Sequence, residues 1–172
     1  HTPHTHTHPT HTHKNPTHRP THPKGVNSRV KQNKKNNLGI CCEHGGDPKK
    51  LFVAGGSAGG HLTALLALNE TFLKKHELTT SNILGAIPIS GLMDVKQVGA
   101  ARRKAVWGEE NSTLQLASPL HHARKDAPSM LLLHAEHDTP DRRQQNKAIF
   151  TALKKAGHPD VSIHELKDRT HN

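Results

Sequence analysis

Ser57 stands between two pairs of glycines, in the run GGSAGG at residues 55–60. A hydroxyl flanked by residues without side chains points to a backbone bent too sharply for Cβ atoms, and the run fits the pattern G-x-S-x-G. Placed between a strand and a helix, such a bend lifts the serine hydroxyl clear of the sheet. The amide of Ala58, at the helix start, can then face the oxyanion of an attacked carbonyl. The structural alternative is a tight strand–helix turn. A dinucleotide-type glycine loop fits badly, because Ser57 occupies the place of the middle glycine in G-x-G-x-x-G. A lone serine is inert and needs a base and a group that orients the base. Two candidates follow apolar runs further along: Asp138 lies three residues past SMLLLHA (129–135), and His171 lies five residues past VSIHEL (161–166). Eighteen histidines dilute the signal of any one. His61, His134, His137 and His164 are expected to be structural or exposed; His171 is singled out by its position.

The elements needed to bring these groups together are legible in the hydrophobic pattern. LFVAG (51–55) is a short apolar run ending in glycine and predicts a buried strand. Residues 58–76 carry Leu62, Leu65, Leu66, Leu68 and Phe72 at helical spacing. ILGAIPIS (83–90) predicts a second strand, SMLLLHA a third and VSIHEL a fourth, with short helical turns expected over 91–127. Residues 141–157 predict an amphipathic helix with lysines in its last turn and a stop at Gly157. Near-continuous apolar strands alternating with helices argue an α/β fold, a parallel sheet with flanking helices. Ser57, Asp138 and His171 would then all lie at carboxyl ends of strands, on the rim where such sheets bind ligands.

At 172 residues the chain is long enough for one domain. The net charge of +10 is unevenly spread. Residues 1–42 hold seven basic residues and no acid, leaving 17 basic and 14 acidic residues, or +3, for residues 43–172. Strong basicity is therefore a property of the N-terminal segment, and the folded part has no character of a nucleic-acid binder. Residues 1–24 are a His/Thr/Pro repeat with nothing to bury, so a disordered tail is expected over 1–42. Clustered imidazoles could bind metal, but ligand geometry needs a fold to hold it, and a soluble tail without a selected role is the preferred reading. Cys41 and Cys42 are adjacent, two cysteines do not make a disulfide framework, and both are read as free thiols or small apolar fillers. No stretch reaches membrane-spanning length and no signal peptide is visible. No metal site or cofactor is expected.

The segment GGDPKKLFVAGGSAGGHLTALLAL resembles the nucleophile region of α/β-hydrolase fold esterases and lipases, of the hormone-sensitive-lipase-like and BD-FAE-like (feruloyl-esterase-like) groups. PISGLMD (88–94) and ASPL (117–120) resemble later segments of that family. LLLHAEHDTP (131–140) resembles its acid loop, with Ala135 where glycine is usual, and KDRTHN (167–172) its terminal histidine loop. The resemblance covers 43–172 almost continuously. It implies the C-terminal half of a hydrolase domain acting on a small-molecule carboxylic ester through an acyl-enzyme. By this resemblance Ser57 is the nucleophile, His171 the general base, Asp138 its orienter and Ala58 an oxyanion-hole donor.

The same family carries an HGGG-type oxyanion loop after an early strand. HGGD (44–47) lies only ten residues before Ser57, with one strand between, and matches the GGDP turn better, so His44 is given no catalytic role. The N-terminal strands are expected to be lacking, which would leave an open sheet edge and an incomplete oxyanion hole. A catalytically inactive fragment, or an incomplete gene product, is therefore the alternative expectation.

Overall fold

A computed structural model describes residues 43–171. The tail expected over 1–42, including the readings of its histidine repeat and of Cys41 and Cys42, lies outside the described residues. The apolar run at 51–55 forms β1 (Leu51–Gly56), and the helical pattern after Ser57 begins as α1 (Ala58–Leu68). The pattern predicts one helix through residue 76, but Asn69 ends it. Asn69 takes an extended conformation (φ −111°, ψ 100°), and its side chain accepts from the Thr71 amide, starting a separate short α2 (Thr71–Lys74). An asparagine that satisfies backbone groups locally competes with helix continuation.

β2 (Ile83–Ile89) follows, then α3 (Ala100–Trp107) and α4 (Asn111–Leu116) among short turns, then β3 (Ser129–His137), α5 (Pro140–Lys155) and β4 (Val161–Thr170). α5 starts on a Thr139 cap with proline at its first position, and ends as predicted at Gly157 (φ 80°), where the His158 amide returns to the Leu153 carbonyl. The four strands lie in the order β1-β2-β3-β4, all parallel. Register places Val53, Ala86, Met130 and Val161 in one row across the sheet.

That row is core. Ala86, Met130 and Val161 pack with Ala64, Ala67 and Leu68 of α1 and with Ile149 and Leu153 of α5 in one buried cluster. A smaller cluster of Leu92, Val95 and Leu114, with Trp107 against it, seats α3 and α4 beside the carboxyl ends of the strands. No helix among the described residues is long and apolar enough to cross a membrane.

Candidate active site

Ser57 adopts φ 52°, ψ −112°, a left-handed conformation that a residue with a Cβ rarely takes. The strain is held from both sides. The Ser57 amide donates to the Ile89 carbonyl at 2.8 Å, tying the bend to the end of β2, and the Ser57 carbonyl accepts the first helical bond, from the His61 amide, at 3.1 Å. Steric need for glycine falls on two of the four positions. A Cβ on Gly55 would lie 2.6 Å from the Gly59 backbone, and one on Gly60 would lie 2.7 Å from the Ile89 carbonyl oxygen. Gly56 and Gly59 have open space instead. Ala58 is the first helical residue, so its amide has no acceptor within α1 and is free to donate outward.

Asp138 follows the last residue of β3 directly, and its side chain is fully buried. This corrects the expected three-residue gap, because β3 runs on to His137. Its Oδ1 accepts from the Thr139 amide at 2.8 Å and from His171 Nδ1 at 2.9 Å, while Oδ2 is buried with no partner. His171 likewise follows β4 directly, not five residues beyond it. β4 is longer than predicted because it stays paired to β3 through an irregularity: Ala135 pairs with Leu166, then His137 with Thr170. Asp168 takes a left-handed φ of 53° inside that irregularity, and its amide donates to Glu136 Oε2 at 3.0 Å. The strand is thus anchored up to the residue before His171.

His171 Nε2 lies 2.8 Å from Ser57 Oγ. An ionised carboxylate only accepts hydrogen bonds, so Nδ1 carries the proton toward Asp138 and Nε2 of the neutral ring accepts from the serine hydroxyl. Both ring nitrogens are committed, which leaves no lone pair for a metal ion. The structure therefore brings together Ser57, Asp138 and His171 from the carboxyl ends of β1, β3 and β4. His44 is exposed in the turn before β1, and Ser57 follows the other end of that strand. His61 and His134 are buried, and His137 and His164 exposed. His61 donates from Nε2 to the Ala117 carbonyl at 2.7 Å, and burial holds its pKa below the usual histidine value.

A cavity of about 460 Å³ opens beside the histidine, lined by His171, Asp138, Arg142, Arg102, Gln97 and Val98 among others. Sequence reasoning missed the two arginines. The only available signal was that Arg142 lies one helical turn past Asp138, within a helix read for its amphipathic face alone.

Residues 41–153 match the BD-FAE family model. The chain belongs to the BD-FAE family. Esterase LipQ of Mycobacterium tuberculosis is 29% identical to this BD-FAE chain over 143 residues, which span 75% of the chain and 34% of LipQ. The probable carboxylic ester hydrolase LipM of the same organism is 30% identical over 144 residues, 75% of the chain and 33% of LipM. Among solved structures, the propionate-bound thermophilic esterase Est2 of Thermogutta terrifontis superposes with a TM-score of 0.61 at 27% identity, covering 77% of the chain and 50% of Est2. The chain thus spans about a third of the curated relatives' length and half of that structure. The expected α/β-hydrolase esterase fold, with parallel strands and flanking helices, is what the BD-FAE chain has. The family match ends at residue 153, before β4 and His171.

Proposed function

We propose that the protein hydrolyses carboxylic esters of small molecules, with Ser57 as nucleophile, His171 as general base and Asp138 as its orienter. The observation that carries this reading is the unbroken hydrogen-bonded chain from Ser57 Oγ through His171, at 2.8 Å, to Asp138, at 2.9 Å. Its relatives' names, esterase and carboxylic ester hydrolase, agree with an ester substrate.

Ser57 Oγ attacks the ester carbonyl as His171 Nε2 takes its proton. Asp138, on Nδ1, holds the ring in the tautomer that can accept and stabilises the imidazolium that forms. The carbonyl oxygen becomes an oxyanion, toward which the Ala58 amide donates. His171 then returns the proton to the leaving alkoxide, and an acyl group remains on Ser57. Water, deprotonated by the same nitrogen, attacks the acyl-enzyme and releases the acid. The strained elbow keeps the nucleophile in place, so no reorganisation is needed at attack.

Hydrolysis of para-nitrophenyl acetate by the full chain tests this. The wild-type chain should turn over the ester with saturation, and Ser57→Ala should fall to the solvent background. Turnover that survives Ser57→Ala unchanged would refute the assignment.

A further inference from the structure

We propose that the cavity beside His171 receives the alcohol portion of the ester, and that Arg102 and Arg142 select alcohols bearing a carboxylate or another anionic group. This rests on the reading of Ser57 and His171 as the acting pair. The side of the cavity follows from the proton's route. His171 Nε2 must reach the leaving oxygen, so the alcohol lies against the imidazole while the acyl group lies on Ser57. The cavity of about 460 Å³ is lined by His171 and Asp138, not by Ser57, and on this proposal it holds what the leaving oxygen carries.

Its walls suit a small amphiphilic alcohol with an anionic end. Leu92 and Val98 offer apolar surface, and Arg102 and Arg142 line the same space. Arg102 is exposed on the first turn of α3, and Gly99, the cap of that helix, also lines the cavity. α3 has no side-chain cap and no acid in its first turn, so its positive end is uncompensated. Arg142 is half-buried on the first turn of α5, and its Nη1 is shielded from solvent with no hydrogen-bond partner. Burial, chiefly, lowers the pKa of Arg142; the Asp138 charge opposes this, the nearby Arg102 charge adds to it, and the Asp141 charge opposes it in turn. Two like charges thus face a shared space, and an anion between them relieves both.

Two carboxylates also line the cavity, Asp138 and Asp141. Among the described residues neither stands within ion-pair distance of either guanidinium. Asp138 has Oδ1 on His171 and the Thr139 amide and Oδ2 buried without a hydrogen-bond partner, and Asp141 is exposed to water. The guanidinium forks therefore keep N–H groups for an incoming carboxylate, a geometry they match in bidentate fashion.

The test compares para-acetoxybenzoate with its neutral isostere para-acetoxybenzamide, in the full-length wild-type chain, Arg102→Gln and Arg102→Glu. The acyl group is the same in both esters, and residues 1–42 are the same in all three proteins, so any attraction by the basic segment cancels. Arg102 is exposed, and matching thermal unfolding will show that the variants fold. The ratio of kcat/KM, anionic over neutral, should fall about tenfold in Arg102→Gln, the weight of one charge-assisted hydrogen bond, and further in Arg102→Glu. Calorimetric affinity for the product para-hydroxybenzoate should weaken in the same order. A ratio that stays constant across the three proteins overturns the proposal. If neither ester is turned over and Ser57 is inert to an active-site phosphonate, the catalytic reading fails. Calorimetry then decides the subsite alone: Arg102-dependent binding of para-hydroxybenzoate upholds it, and equal or absent binding in all three overturns it.

Discussion

Ser57 is the residue on which the rest depends, and its backbone says why glycines surround it. The pattern GGSAGG announces a sharp bend but does not say which glycine approaches which neighbour, since that depends on the strand beside it. Gly55 is needed because α1 turns back over it, and Gly60 because β2 passes beneath it; Gly59, the second glycine of the G-x-S-x-G pattern, has room for a side chain. This distinction is measurable. Gly60→Ala should lower thermal stability by about 1–3 kcal/mol, the usual cost of forcing a methyl into a packed site. Gly59→Ala should be neutral or stabilising, because alanine favours a helix over glycine by up to about 1 kcal/mol. Equal melting temperatures for the two variants would contradict the packing described for the elbow.

Strands and helices were legible where periodicity was strong and illegible where pairing decided. All four strands and the helix at 140–155 follow from apolar runs and caps. The extension of β4 through Lys167, Asp168 and Arg169 does not, because charged residues carry no strand signal and only the ladder with β3 keeps them extended. The break at Asn69 is similar: its side chain finds partners 47 and 53 residues away, at Leu116 and His122, which no local window contains.

The seat of α1 on the α3–α4 segment makes a prediction of its own. His61 binds the Ala117 carbonyl and meets Trp107 edge-on, with ring centroids 6.1 Å apart. Burial is the main cause of its lowered pKa; the Ala117 bond opposes this and the Arg142 charge adds to it. Above the ordinary histidine value of 6.5 the ring is neutral in both folded and unfolded chains. As pH falls below it, the unfolded chain takes up a proton that the folded chain resists, so stability drops until the folded pKa is passed. His61→Gln keeps a donor for Ala117 and removes the titration. Its melting temperature should fall less than the wild type's between pH 7 and about pH 5. Parallel pH curves for the two proteins would show that His61 does not contribute.

At the scale of the molecule, four parallel strands suffice to bring three groups from three strand ends within hydrogen-bond reach. β1 is one of the two outer strands of the described sheet, and Phe52 on it is 65% exposed, its ring lying across Gly85 of β2. β4 holds His171 from behind, through its pairing with β3 up to Thr170. On the proposed mechanism the Ala58 amide donates to the oxyanion, and a donor of this kind is worth on the order of 10²–10³ in rate. Nucleophile reactivity reads the proposed roles of Ser57 and His171 more directly than turnover does. The most direct measurement is phosphonylation of the full chain by a fluorophosphonate, followed by peptide mass spectrometry. One adduct is expected, on Ser57, lost in Ser57→Ala and strongly slowed in His171→Ala. A cooperatively folded chain whose Ser57 stays unmodified, or is modified at the same rate without His171, would contradict the proposed roles.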